Sequence, residues 1–126
     1  MRVFKNKWFN HWARKENIPS SVLLDAAQEI VTGRVETDLG GCLFKKRLPR
    51  SGGGKRGAYR VIVGYKRPDE SRIIFLYAFA KSDKANISVQ EEAALSLVAE
   101  SFVSTTEKQL QDLLVSGSIL EVKNNE

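Results

Sequence analysis

Lys45 and Arg47 stand two residues apart in CLFKKRL, and Arg60 follows in AYRVIVGYK. Side chains two apart on a strand share a face, and Arg60 on a partner strand can turn the same way. Three cations converging on a sheet surface make a cradle for phosphate. They lie in a window from Leu39 to Pro68 that holds nine Lys or Arg and no Asp or Glu. The rest of the chain has eleven basic and fifteen acidic residues, a balance of −4, so the window generates the whole net charge of +5. Cations without internal counter-charge repel one another unless an anion lies over them, and for a domain of pI near 9.5 the commonest such partner is a nucleic-acid backbone. A solvated basic face is the plain alternative.

Other chemistries find no residues to carry them. His11 and Cys42 are each the only one of their type and lie some thirty positions apart, which excludes a Cys/His metal cluster, an internal disulfide, a serine triad and a paired-histidine ribonuclease. The run Gly52-Gly53-Gly54-Lys55-Arg56-Gly57 formally fits GxGxxG, but a strand and not a helix follows it, so no dinucleotide site is expected. It also fails as a P-loop, because Arg56 follows Lys55 where Ser or Thr is needed. What remains is a glycine-rich cationic loop.

The elements needed to position these residues are legible from periodicity. Trp8, Phe9 and Trp12 recur at helical spacing until Pro19; Ser20 caps a second helix with the stripe Leu23, Leu24, Ala27, Ile30 and Val31, closed by Gly33. After a turn at Asp38 to Gly41 the period changes to two. Strands are expected over Cys42–Leu48, Tyr59–Lys66 and Arg72–Ala80, a three-strand antiparallel meander with a long loop from Pro49 to Gly57. Ser88 with Glu91 and Thr106 with Gln109 are capping boxes that open two more helices. Ala94, Leu95, Val98 and Phe102 are expected to face inward on the first, and Leu110, Leu113 and Leu114 on the second, with a last short strand over Ile119–Val122. From Ser88 onward seven acids face two bases, so the basic work falls to the sheet. A length of 126 residues, 42% of them apolar, suits a single domain over 1–126. No apolar run approaches the roughly 20 residues of a membrane span, and the start of the chain does not read as a signal peptide. A cytoplasmic location with no membrane contact is expected.

The ordered set KKRLPRSGGGKRGAYRVIVGYK, FLYAFAKSDKANIS and LLVSGSILEV, with FKNKWFNHWARKENIP and ETDLGG before it, resembles the RelE-like branch of the RelE/ParE toxin superfamily, close to the HigB-type toxins. The resemblance covers most of the chain. It implies an α+β, RelE-like microbial ribonuclease-type fold: a twisted antiparallel sheet of three to five strands with the two N-terminal helices and the C-terminal helices packed on one face, and the other face concave and basic. It further implies the toxin of a type II toxin-antitoxin pair, an endoribonuclease that cuts mRNA on the ribosome through attack by the ribose 2′-hydroxyl, with no metal or other cofactor. The implied partners are a cognate antitoxin of helix-turn-helix type, the ribosome and mRNA, and promoter DNA only through the antitoxin complex. A ParE-like gyrase inhibitor and a non-catalytic nucleic-acid-binding module are the rival readings.

By resemblance the catalytic residues are Lys45, Arg47, Arg60 and Lys81. Lys45 is the general base, because like charge from Lys46, Arg47 and Arg60 should favour its neutral form and arginine stays protonated. Arg60 binds the scissile phosphate, and Lys81 lies near the leaving group, with Lys84 the second choice for that role. Lys46, Arg50, Lys55, Arg56, Lys66 and Lys84 are expected to grip RNA. RelE proper carries a tyrosine near its C-terminus, whereas this chain has none after Tyr77.

Overall fold

The computed structural model describes residues 1–49, 58–66 and 72–124. Strand β1 (Arg2–Asn6) leads into helices α1 (Lys7–Lys15) and α2 (Ser20–Val31). Strands β2 (Thr37–Gly40), β3 (Leu43–Leu48), β4 (Tyr59–Tyr65) and β5 (Arg72–Ala80) follow, then helices α3 (Val89–Val103) and α4 (Glu107–Ser116) and strand β6 (Ile119–Glu121). These strands form one sheet in the order β2-β3-β4-β5-β1-β6. All pairs are antiparallel except β1 with β5. The α+β class and the β3-β4-β5 meander are as expected, but the sheet has six strands instead of three to five.

Both added strands were hidden for physical reasons. Val3, Phe4 and Lys5 are buried in succession, because β1 lies between β5 and β6 with both faces covered; a strand of that kind shows no alternation. At one edge of the sheet, β2 overlaps the stretch from Asp38 to Gly41 expected to be a turn. Its four residues form an irregular edge, with a register shift between Asp38 and Gly40, as edge strands commonly do.

The helices divide between the two faces, which corrects the expectation of a single covered face. Phe9, Ala13, Leu23, Ala27 and Ile30 of α1 and α2 pack on Phe44, Val61, Val63, Tyr65 and Phe75. Ala99, Phe102 and Leu110 of α3 and α4 pack on Phe4, Leu43, Ile62, Ile74 and Leu76. Adjacent strand residues point to opposite faces, so both layers are built from the same strands. Gly64 makes the second layer fit: a Cβ there would lie 3.1 Å from the Ala99 Cβ and 3.2 Å from an Ile74 methyl. The helix can approach only where the strand carries no side chain.

Both capping boxes are formed, and Gly117 closes α4 in the left-handed conformation with φ 80°. At α2 the cap is Pro19, with no side-chain bond, and Ser20 is the first helical residue. On α3 the inward residues are Ala99 and Phe102, with Leu95 half-buried, while Ala94 and Val98 are exposed. This helix is apolar around most of its circumference, so periodicity alone could not identify its inner face.

Candidate active site

The antiparallel register places the expected cations in two rows. Arg47 pairs with Arg60, which pairs with Phe79; Lys45 pairs with Ile62, which pairs with Tyr77. Lys45, Arg47 and Arg60 therefore share the face that carries α3, with neighbouring strands about 4.8 Å apart. The α3 helix crosses that face at Gly64, so the Arg47–Arg60 row lies at the end of β4 away from the crossing. Lys45 Nζ is 3.4 Å from Asn86 Oδ1, just ahead of the helix.

Only Arg47 of the three is exposed. Arg60 and Lys45 have side chains 13% and 12% exposed, and both meet Glu36, a residue that the charge pattern did not single out. The Arg60 Nε donates to both Glu36 oxygens at 2.9 Å, and Lys45 Nζ stands 3.8 Å from Oε2. Arg60 Nη1 is buried and has no hydrogen-bond partner among the described residues. Glu36 sits in the bend before β2, its own N–H bonded to the Lys45 carbonyl. It lies three residues upstream of the acid-free window, and the unpredicted strand β2 folds it back over the cations. Like charge around Lys45, the ground for its role as base, is thus offset by a carboxylate.

The remaining expected residues scatter. Lys46 points to the opposite face, 3.0 Å from Glu29 on α2. Lys66 follows the far end of β4, about 20 Å along the strand from Arg60 at 3.4 Å per residue. Lys81, just past β5, returns to the Arg60 end because its N–H bonds the Ala58 carbonyl, and its Nζ donates to the Ala85 carbonyl at 2.6 Å. Lys84 donates to both Glu91 oxygens at 2.6 Å and to the Tyr77 hydroxyl at 3.2 Å. Arg50, Lys55 and Arg56 lie outside the described residues. Tyr59 faces the α1 and α2 side, where its hydroxyl donates to Glu16. Beside the cations, Trp8 stacks on Tyr77 with ring centres 4.8 Å apart and remains 46% exposed. Helical spacing had marked Trp8 only as part of an amphipathic stripe.

The Lys84–Glu91 pair makes a testable contribution to stability. The Lys84 ammonium first, and then the Ser88 N–H, hold the Glu91 carboxyl down to about 2 from its ordinary 4.5; the contact with Glu91 raises Lys84 in turn. A depressed carboxylate stabilises the fold fully above about pH 4.5, and that contribution is lost as pH falls towards 2. The Lys84 side is present below its ordinary 10.5 and lost as pH rises past it. Lys84→Met should therefore flatten the acid limb of the melting-temperature profile between pH 4.5 and 2, read by circular dichroism. An unchanged limb would show the pair to be fully screened by solvent.

The chain is thus a small α+β fold that carries cations of two adjacent strands at one end of its sheet. Over residues 1–122 the chain matches the family described as RelE toxin of RelE / RelB toxin-antitoxin system, and it belongs to that family. It is accordingly a toxin of a toxin-antitoxin pair, with a cognate antitoxin as partner. No curated protein matches the chain. Among the described residues, no group of three or more His, Cys, Asp and Glu is placed to hold a metal ion, and no helix is long and apolar enough to cross a membrane.

Proposed function

We propose that this toxin is an endoribonuclease of the HigB type that cuts mRNA on the ribosome. The observation that carries the reading is the placement of Lys45, Arg47 and Arg60 on one face of β3 and β4, with Lys81 returned to the same end by the β4-β5 pairing. Cleavage by internal transfer needs no more than cations and a proton relay. The ribose 2′-oxygen forms a bond to phosphorus as the P–O5′ bond breaks, leaving a 2′,3′-cyclic phosphate and a 5′-hydroxyl. Negative charge grows on the non-bridging oxygens, and donors already oriented towards it lower the barrier. Arg60 and Arg47 supply the donors that meet this charge, Lys45 in its unprotonated form accepts the 2′-hydroxyl proton, and Lys81 gives a proton to the departing 5′-oxygen. In this reading the isolated protein grips the backbone, while the ribosome presents the strand.

The test is expression of the wild type in bacteria with mapping of mRNA 5′ ends and of plasmid supercoiling. New ends within translated reading frames are expected soon after induction. Growth arrest with intact mRNA would overturn the reading, and a loss of supercoiling would point to gyrase instead.

A further inference from the structure

Lys45 and Arg60 are largely buried, and both meet one carboxylate, that of Glu36. We infer that Glu36 is a built-in stand-in for the RNA phosphate, occupying the Lys45–Arg60 site in the free toxin and leaving it when an RNA phosphate diester enters. The inference rests on the proposed reading only in naming RNA as the anion.

Three observations carry it. First, the carboxylate sits between the two cations, 2.9 Å from Arg60 Nε and 3.8 Å from Lys45 Nζ, where a bound phosphate oxygen would lie. Second, the contact wastes much of the guanidinium. Both Glu36 oxygens share the single Nε–H, whereas the strongest arginine–oxyanion contact uses two parallel N–H groups, and Nη1 is left buried without a partner among the described residues. An oxyanion taking the two-pronged position would satisfy donors that Glu36 does not. Third, displacement requires little. The Glu36 backbone is anchored through its N–H to the Lys45 carbonyl, and its side chain is 32% exposed, so rotation about its own bonds moves the carboxylate into water. The Glu36 carboxylate thereby holds the site beside Arg60 until a better-fitting anion arrives.

The experiment measures binding of a single-stranded RNA oligonucleotide of roughly 8 nucleotides, within the usual footprint of such sites, to the full chain. Four proteins are compared: wild type, Glu36→Gln, Arg60→Ala and the double variant. Glutamine keeps an acceptor for Arg60 Nε and removes only the charge, and melting curves confirm that each variant is folded. Glu36→Gln is expected to bind about tenfold tighter, the size of one charge-assisted contact. Its dependence of log K on log salt should steepen by about 0.7, one extra phosphate contact on a single strand. In the Arg60→Ala background the same change should alter affinity by less than about twofold, since the competed site is gone.

Equal tightening in both backgrounds would overturn the inference in favour of long-range charge. Weaker binding by Glu36→Gln would overturn it in favour of a carboxylate that orients Arg60. Failure of wild type and Glu36→Gln alike to bind at low salt would also overturn it. Absence of mRNA cleavage, with Glu36→Gln still binding tighter through Arg60, would sink only the nuclease reading.

Discussion

Arg60→Ala is expected to lower mRNA cleavage by about 10²- to 10³-fold while leaving the fold intact. The rate loss is that of removing one pre-oriented donor from a site where charge develops in the transition state. The intact fold follows from the surroundings. Arg60 pairs with a carboxylate that is one-third exposed, so its loss returns Glu36 to water and to Lys45 without leaving a buried charge alone. The stability change should stay near 1 kcal/mol. Arg60→Lys is the sharper control: it keeps the charge but loses the planar fork, and it should recover only a small part of the rate. Both are read by primer extension on mRNA in programmed ribosomes, beside thermal melts. Full activity of Arg60→Ala would move the site elsewhere and leave the family assignment untouched.

Phe4→Ala is expected to cost about 3–5 kcal/mol, the range for emptying a buried phenylalanine site. A small domain is stable by only about 5–15 kcal/mol, so the variant should stand near the edge of folding in urea titration. Phe4 is 0% exposed on the inner strand β1. It meets the Phe102 ring edge-on at 5.6 Å, and the Arg2 guanidinium lies 5.0 Å from its centre. Removing it takes away the point at which β1 grips α3. Val98→Ala on the same helix should cost less than about 0.5 kcal/mol, because Val98 is 48% exposed. Similar costs for the two would mean that α3 presents its other face to the sheet.

Particular residues show why part of this was legible in one dimension. Ser88 with Glu91 and Thr106 with Gln109 act within one helical turn, so their spacing was sufficient to predict the caps that formed. Lys45 and Arg47 share a face because of the pleat alone, and the joining of Arg60 followed from the hairpin register. Val98 was misplaced because a helix apolar on most sides offers no preferred inner stripe; Gly64, more than thirty residues away, selects Ala99 instead. Strand β1 was missed because its burial depends on β5 and β6, which lie far along the chain.

Local chemistry in the sequence therefore determined the helices, the capping boxes of α3 and α4, the three-strand meander, the concentration of charge and the family. Those features depend on the identities and spacing of near neighbours. Only the tertiary structure decided that the sheet is covered on both faces and that Lys46, on the face opposite Lys45, meets Glu29. It also decided that the acid-free window acquires an acid after all. Coulombic pairing depends on distance in space, and Glu36 reaches Arg60 only because β2 folds back along β3.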